Sequence, residues 1–194
     1  MESIENIVCE IKQLNTEAVS LGGALLGEPN PPAEAALLKA AKVQDFPRSY
    51  RHFLSICNGW PRFWERLTLA GIRTDDASRM DEYFAASCKG QLEDLQALGE
   101  IRDEADLSAW KLELPRNVLL REMVPLGTNF VGAYLLLDKL RRGPDGEMAV
   151  LRWNLSYGAM EDGYFRNFHA YLIHVRDQVH ARLLEMRNKA KKKK

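Results

Sequence analysis

Two apolar runs separated by a turn constrain this chain most. Ala133 to Asp138 (AYLLLD) and Met148 to Trp153 (MAVLRW) are rich in residues that suit a pleated surface. Between them lies RRGPDGE, with Gly-Pro and Asp-Gly pairs that favour a reversal of direction. Together they predict an antiparallel hairpin. Met123-Val-Pro-Leu126 followed by Gly127 predicts a short strand and turn before it, and Leu67 to Ile72 (LTLAGI) a further strand.

Helical patterns surround this β-rich middle. Ile4, Ile7, Val8, Ile11 and Leu14 recur at spacings of three and four, which predicts an amphipathic helix over residues 3–15. Residues 22–32 hold three Gly and three Pro in eleven positions and read as a loop. They lack the G-x-x-x-x-G-K-[ST] pattern of a phosphate-binding loop. Residues 33–43 are strong helix formers. Another helix starts near Pro47, places Tyr50, Phe53, Leu54 and Cys57 on one stripe, and stops at Asn58-Gly59. Two more are expected over 76–88 and 91–104. The last is expected from about Tyr164, with Phe165, Phe168, Leu172, Val175, Val179, Leu183 and Met186 within about 80° of arc. The order helices, hairpins, helix predicts an α+β fold: an antiparallel sheet with helices packed on one face and a long C-terminal helix. One domain over 1–186 is expected, with a helical insert at about 75–110 and a basic tail at 187–194.

The equality of 27 cations and 27 acids hides an uneven distribution. The last eight residues hold six of the cations, so the remainder carries about −6. An acidic body does not suit nucleic-acid phosphates, whose binding proteins owe their affinity largely to cations. It suits a basic protein partner, through steering and complementary potential. The lysine tail reads as a frayed, solvated helix end, with contact to nucleic acid or anionic lipid as the lesser alternative. No run reaches the ~18 apolar residues of a membrane span. The start, MESIENIVCEIKQLN, lacks the basic and apolar segments of a secretory signal.

The three cysteines, Cys9, Cys57 and Cys88, are odd in number and widely spaced, which fits a reducing cytosol and a cytoplasmic protein. Cys9 and Cys57 fall in helical apolar patterns and read as small core residues. His52, His169, His174 and His180 read as surface or cap residues. On one helix His169 and His180 would lie ~16 Å apart, too far to share a metal. No motif of nucleophilic, nucleotide-binding or metal-dependent catalysis occurs. No cofactor, metal or catalytic residue is expected, and the protein reads as a non-enzyme.

Trp60, Phe63 and Trp64 cluster beside Arg62 and Arg66. Core packing is one role for such a cluster. A partner hot spot is the other, because Trp, Tyr and Arg dominate such sites.

Three segments resemble the SUKH superfamily. The first runs from Phe46-Pro47 through Tyr50 and Phe53-Leu54 to Asn58-Gly59. The second is Val124-Pro-Leu126-Gly127, then Gly132 and the strand Tyr134 to Asp138. The third is the strand Val150 to Trp153, a loop, and a helix opening on aromatics, here Tyr164-Phe165 and Phe168. The resemblance spans about residues 33–185. Ala133 departs from the acid usual after that glycine, and the acidic insert is longer and more helical than the common pattern.

The family's bacterial members are mostly immunity proteins that neutralise polymorphic toxins, and its eukaryotic relatives include a fungal regulator of cell-wall synthesis. The resemblance therefore implies a binding protein that occludes the active site of a cognate toxin used in bacterial competition. Many such toxins are basic nucleases or nucleic-acid-modifying enzymes. The candidate contacts are Asp75, Asp76, Asp81, Glu82, Glu161 and Asp162 for charge, and Trp60, Phe63 and Trp64 as anchors. The alternative is a regulatory interaction module not tied to a toxin.

Overall fold

A computed structural model describes residues 2–40, 45–99, 120–154 and 159–192, with the backbone alone for 159–163. The two apolar runs pair as strands β3 (Ala133–Arg142) and β4 (Met148–Asn154), in antiparallel register with Leu136 opposite Leu151. They form the centre of a five-stranded sheet in the order β1-β2-β3-β4-β5, every pair antiparallel. β1 (Thr68–Leu69) is reduced to two residues, extended by a bridge from Trp60 to Leu69. β2 spans Met123–Thr128 and β5 spans Ala159–Phe165.

Gly127 lies inside β2 and not in the expected turn. A Cβ there would sit 2.6 Å from the Thr68 carbonyl oxygen, so the close approach of β1 requires glycine. The reversal falls instead at residues 129–132, where the Asn129 side chain accepts the Val131 and Ala133 amides at 3.0 and 2.9 Å. β5 was not expected either. Tyr164 and Phe165 end that strand, and the closing helix begins two residues later, where Asn167 caps it by accepting the Ala170 amide at 2.9 Å.

The described helices are α1 (Ile4–Ser20), the short α2 (Ala35–Leu38), α3 (Arg48–Ile56), α4 (Asp75–Ala97) and α5 (Phe168–Lys191). α5 runs through residues 187–191, and Arg187 is tied to Glu17 at 2.6 Å, so the basic segment continues the helix as far as it is described. α1 and α5 lie side by side and run the same way. Glu2 meets His169 and Arg176 near their starts, and Glu17 meets Arg187 near their ends.

Helices α1, α3 and α5 bury their stripes against Leu135, Leu137 and Val150 on the first face of the sheet. That much follows the expected one-face packing. α4 adds cover on the second face, where Phe84 packs with Tyr134, Leu136, Leu151 and Trp153. The physical reason is visible in β3, whose residues 133–138 are all buried: neither face can be left in water. α4 is also one helix where two were expected. It passes through Gly90, which costs a helix about 1 kcal/mol relative to alanine but does not stop it.

Cys57 is buried, and desolvation pushes its thiol up to about 12. Cys9, in contrast, is exposed on α1 and is not a core residue, because the buried stripe falls on Ile4, Ile7, Val8 and Ile11. The expected helix over 33–43 is described only as α2, and residues 41–44 lie outside the described set, as do 100–119.

Candidate partner-binding surface

The acidic residues of α4 are positioned from its first turn. Thr74 caps the helix by accepting the Ala77 amide at 3.2 Å. Asp75 and Asp76 follow in that first turn, where the helix dipole favours negative charge. Met80, Phe84 and Leu95 are the residues α4 buries. Ser87 and Tyr134 share a hydrogen bond of 2.7 Å that fixes the helix over the sheet. Burial raises the Tyr134 phenol to about 12, which keeps it neutral in that contact.

With the inner face fixed, the outer face follows. Asp75, Asp81 and Glu82 are exposed, and Asp76 is half-buried. The helix carries six acids, Glu93 and Asp94 completing the set, against Arg79 and Lys89. Arg79 leans on the Phe130 ring, 4.6 Å from its centre. Beside this face opens a cleft of about 390 Å³, lined by Phe46, Ile72, Met80, Val124 and Pro125 with Asp81 among them. An apolar hollow with a carboxylate in its wall can accept an apolar side chain flanked by a cation.

Two of the three aromatic candidates are corrected by their placement. Trp60 and Phe63 are both fully buried, with ring centres 5.1 Å apart. The Trp60 indole N–H donates to the Gly27 carbonyl at 2.6 Å, and Phe63 packs on Tyr171. Neither can meet a partner without unfolding the loop. Trp64 is half-buried against the same core. The loop around them holds three non-glycine residues at positive φ: Arg62, Glu65 and Arg66 at 49°, 49° and 66°. Glu65 is secured there by Arg152 at 2.6 Å.

Glu161 and Asp162 lie on β5, the edge strand remote from β1. Glu161 pairs with Arg152 in the register, which then skips Asp162 and Gly163. β5 is three strand spacings, about 14 Å, from β2, on which α4 packs. The acidic candidates therefore divide into an α4 group and a β5 group.

Asp138, the acid that ends the apolar part of β3, is fully buried. It accepts the Leu140 amide at 2.9 Å where the β3–β4 register shifts, and lies 3.6 Å from Arg141. Asp138 thus has a structural role inside β3, at the register shift.

A cleft that the sequence reading did not anticipate opens among the helices of the first face. It measures about 620 Å³ and sits where α1, α3 and α5 begin, with Arg48, His52, Arg166 and His169 among its lining. His169 is buried there, not at the surface, because α5 starts against the first residues of the chain.

Among the described residues, no cluster of three or more His, Cys, Asp or Glu could hold a metal ion. Among them also, no helix is long and apolar enough to cross a membrane. No protein-family model matches the chain, and no curated protein matches it.

Proposed function

We propose that this protein is a non-enzymatic immunity protein that binds a basic bacterial toxin and covers its active site or substrate groove. The observation that carries the reading is the outer face of α4. Asp75, Asp81 and Glu82 stand exposed on it, beside an apolar cleft of about 390 Å³. Carboxylates arranged this way compete for the cations with which a nuclease holds phosphate, and they speed encounter with a basic surface. The apolar cleft supplies what charge alone lacks, a dry pocket for an anchoring side chain. The resemblance to the SUKH superfamily supports the same reading. Asp76 is half-buried in the first turn of the same helix, and Trp60 and Phe63 serve the core on the first face of the sheet.

Co-expression with the toxin encoded immediately upstream tests this. Cells carrying both should survive, and cells carrying the toxin with a variant reversed at Asp81 and Glu82 should die. Equal killing with and without the wild-type protein would refute the reading for that pair.

A further inference from the structure

The reversal between β2 and β3 departs from the usual chemistry of turns. Its tip reads Asn129-Phe130-Val131-Gly132, and two apolar residues occupy the centre where Gly, Asn, Asp or Pro is usual. Phe130 sits at a φ of 57°, a conformation that a bulky side chain seldom adopts. The loop is nonetheless firmly held. The Thr128 hydroxyl accepts the Phe130 amide at 3.0 Å and donates to the Ala133 carbonyl at 2.9 Å. The Asn129 amide donates to the same carbonyl at 3.1 Å, while its side chain accepts the Val131 and Ala133 amides. Val131, at the apex, is 77% exposed. Among the described residues, neither Phe130 nor Val131 joins a core cluster. Backbone strain held in place at residues the core does not use points to a use outside the core.

The surroundings of the tip say what it suits. The Phe130 ring lies against α4, with the Arg79 guanidinium 4.6 Å from its centre and the Tyr83 ring 6.1 Å away. Tyr83 stacks in turn on Tyr134, ring centres 5.7 Å apart, which ties the tip to the sheet. Asp75, Arg79 and Glu82 recur at i, i+4 and i+7 and so share one face of the helix. Asp75 and Glu82 are both exposed and stand roughly 10 Å apart along the axis, one on each side of the residue that covers Phe130. Over residues 75–88 Arg79 is the single cation against four acids. An apolar tip beside such carboxylates has the layout of an interface, a dry centre within a polar rim. The acids oppose an anionic membrane and a second copy bearing the same charges, and they suit a basic protein. The cleft of about 390 Å³ opens on the other flank of α4, at Ala77, Ser78 and Asp81, so the tip is a separate contact.

We propose that Val131, braced by Phe130, is an anchoring knob that seats in an apolar depression of the toxin, between two basic side chains roughly 10 Å apart that pair with Asp75 and Glu82. The knob rests on the immunity reading and extends it to the shape of the partner. Little ordering is needed on binding, because hydrogen bonds already fix the loop and a β-branched side chain is stiff at χ1. A preset apolar contact governs how long the complex lasts, whereas the acids govern how fast it forms.

The test measures association and dissociation of the full chain with the purified upstream-encoded toxin by biolayer interferometry. Val131→Ser should fold normally, because the side chain is exposed, and should speed dissociation roughly tenfold with association within about twofold of wild type. Val131→Ile, which keeps the apolar knob, should dissociate no faster than wild type. If the serine variant does not fold, Val131→Thr, of the same shape, takes its place. Wild-type binding with an unchanged dissociation rate in the folded variant would overturn the knob and leave the immunity reading standing, as would an effect on association alone. Absence of wild-type binding would refute the immunity reading for that pair, and the knob with it. Wild-type self-association that Val131→Ser abolishes would assign the tip to a second copy and overturn the knob as well.

Discussion

Replacing Trp60 by phenylalanine separates a core role from a contact role. The indole is fully buried, and its N–H reaches the Gly27 carbonyl across 2.6 Å. Phenylalanine keeps an aromatic ring beside Phe63 but leaves that carbonyl without this donor. An unpaired buried acceptor costs about 1–3 kcal/mol. The smaller ring leaves a void worth roughly 1 kcal/mol more. With a urea dependence of about 2 kcal/mol per M, the unfolding midpoint should fall by roughly 1–2 M. The assay is urea denaturation followed by circular dichroism, with Trp64→Phe as the comparison. Trp64 is only partly buried, and its variant should stay within about 0.5 kcal/mol of wild type. An unchanged midpoint for Trp60→Phe, together with lost toxin binding, would refute the placement of Trp60 in the core.

Two glycines should respond in opposite ways to alanine. Gly90→Ala, inside α4 with open space around it, should raise stability by about 1 kcal/mol in the same urea assay. Gly71→Ala should destabilise, because its Cβ would meet the Asn58 carbonyl oxygen at 2.2 Å, backbone against backbone. The Glu17 carboxyl should titrate below the usual carboxylate range, since Arg187 hydrogen-bonds it and holds the charged form. Its contribution is therefore present above the ordinary glutamate pKa and is lost as pH falls through the lowered value. Carboxyl NMR titration of wild type and Arg187→Ala should show the value return upward in the variant.

The hairpin was legible because its strands and turn obey separate local rules that agree. Stripes of apolar residues likewise located α1, α3 and most of α5. The second layer was missed, although its signal was present: AYLLLD and MAVLRW do not alternate, and strands apolar on both sides need cover on both. β5 was hidden because Glu161, Asp162 and Gly163 are poor strand formers. Its pairing comes from β4, a tertiary cause that no local window contains. For the candidate site, the acids of α4 could be found from composition, and their exposure follows once Met80 and Phe84 fix the inner face. Trp60 could not be assigned from sequence. What buries it is a carbonyl 33 residues away and a loop with three strained residues. The cleft at the three helix starts was equally invisible, since it depends on α1 and α5 running the same way.

The claim that an acidic helix occludes a basic partner is tested most directly by stopped-flow association of the purified protein with the upstream-encoded toxin, at low and moderate salt. Wild type should associate rapidly and slow as salt rises. Asp81→Lys with Glu82→Lys should slow association by at least tenfold at low salt, with stability little changed. Absence of binding, or association indifferent to both salt and the charge reversal, would contradict it.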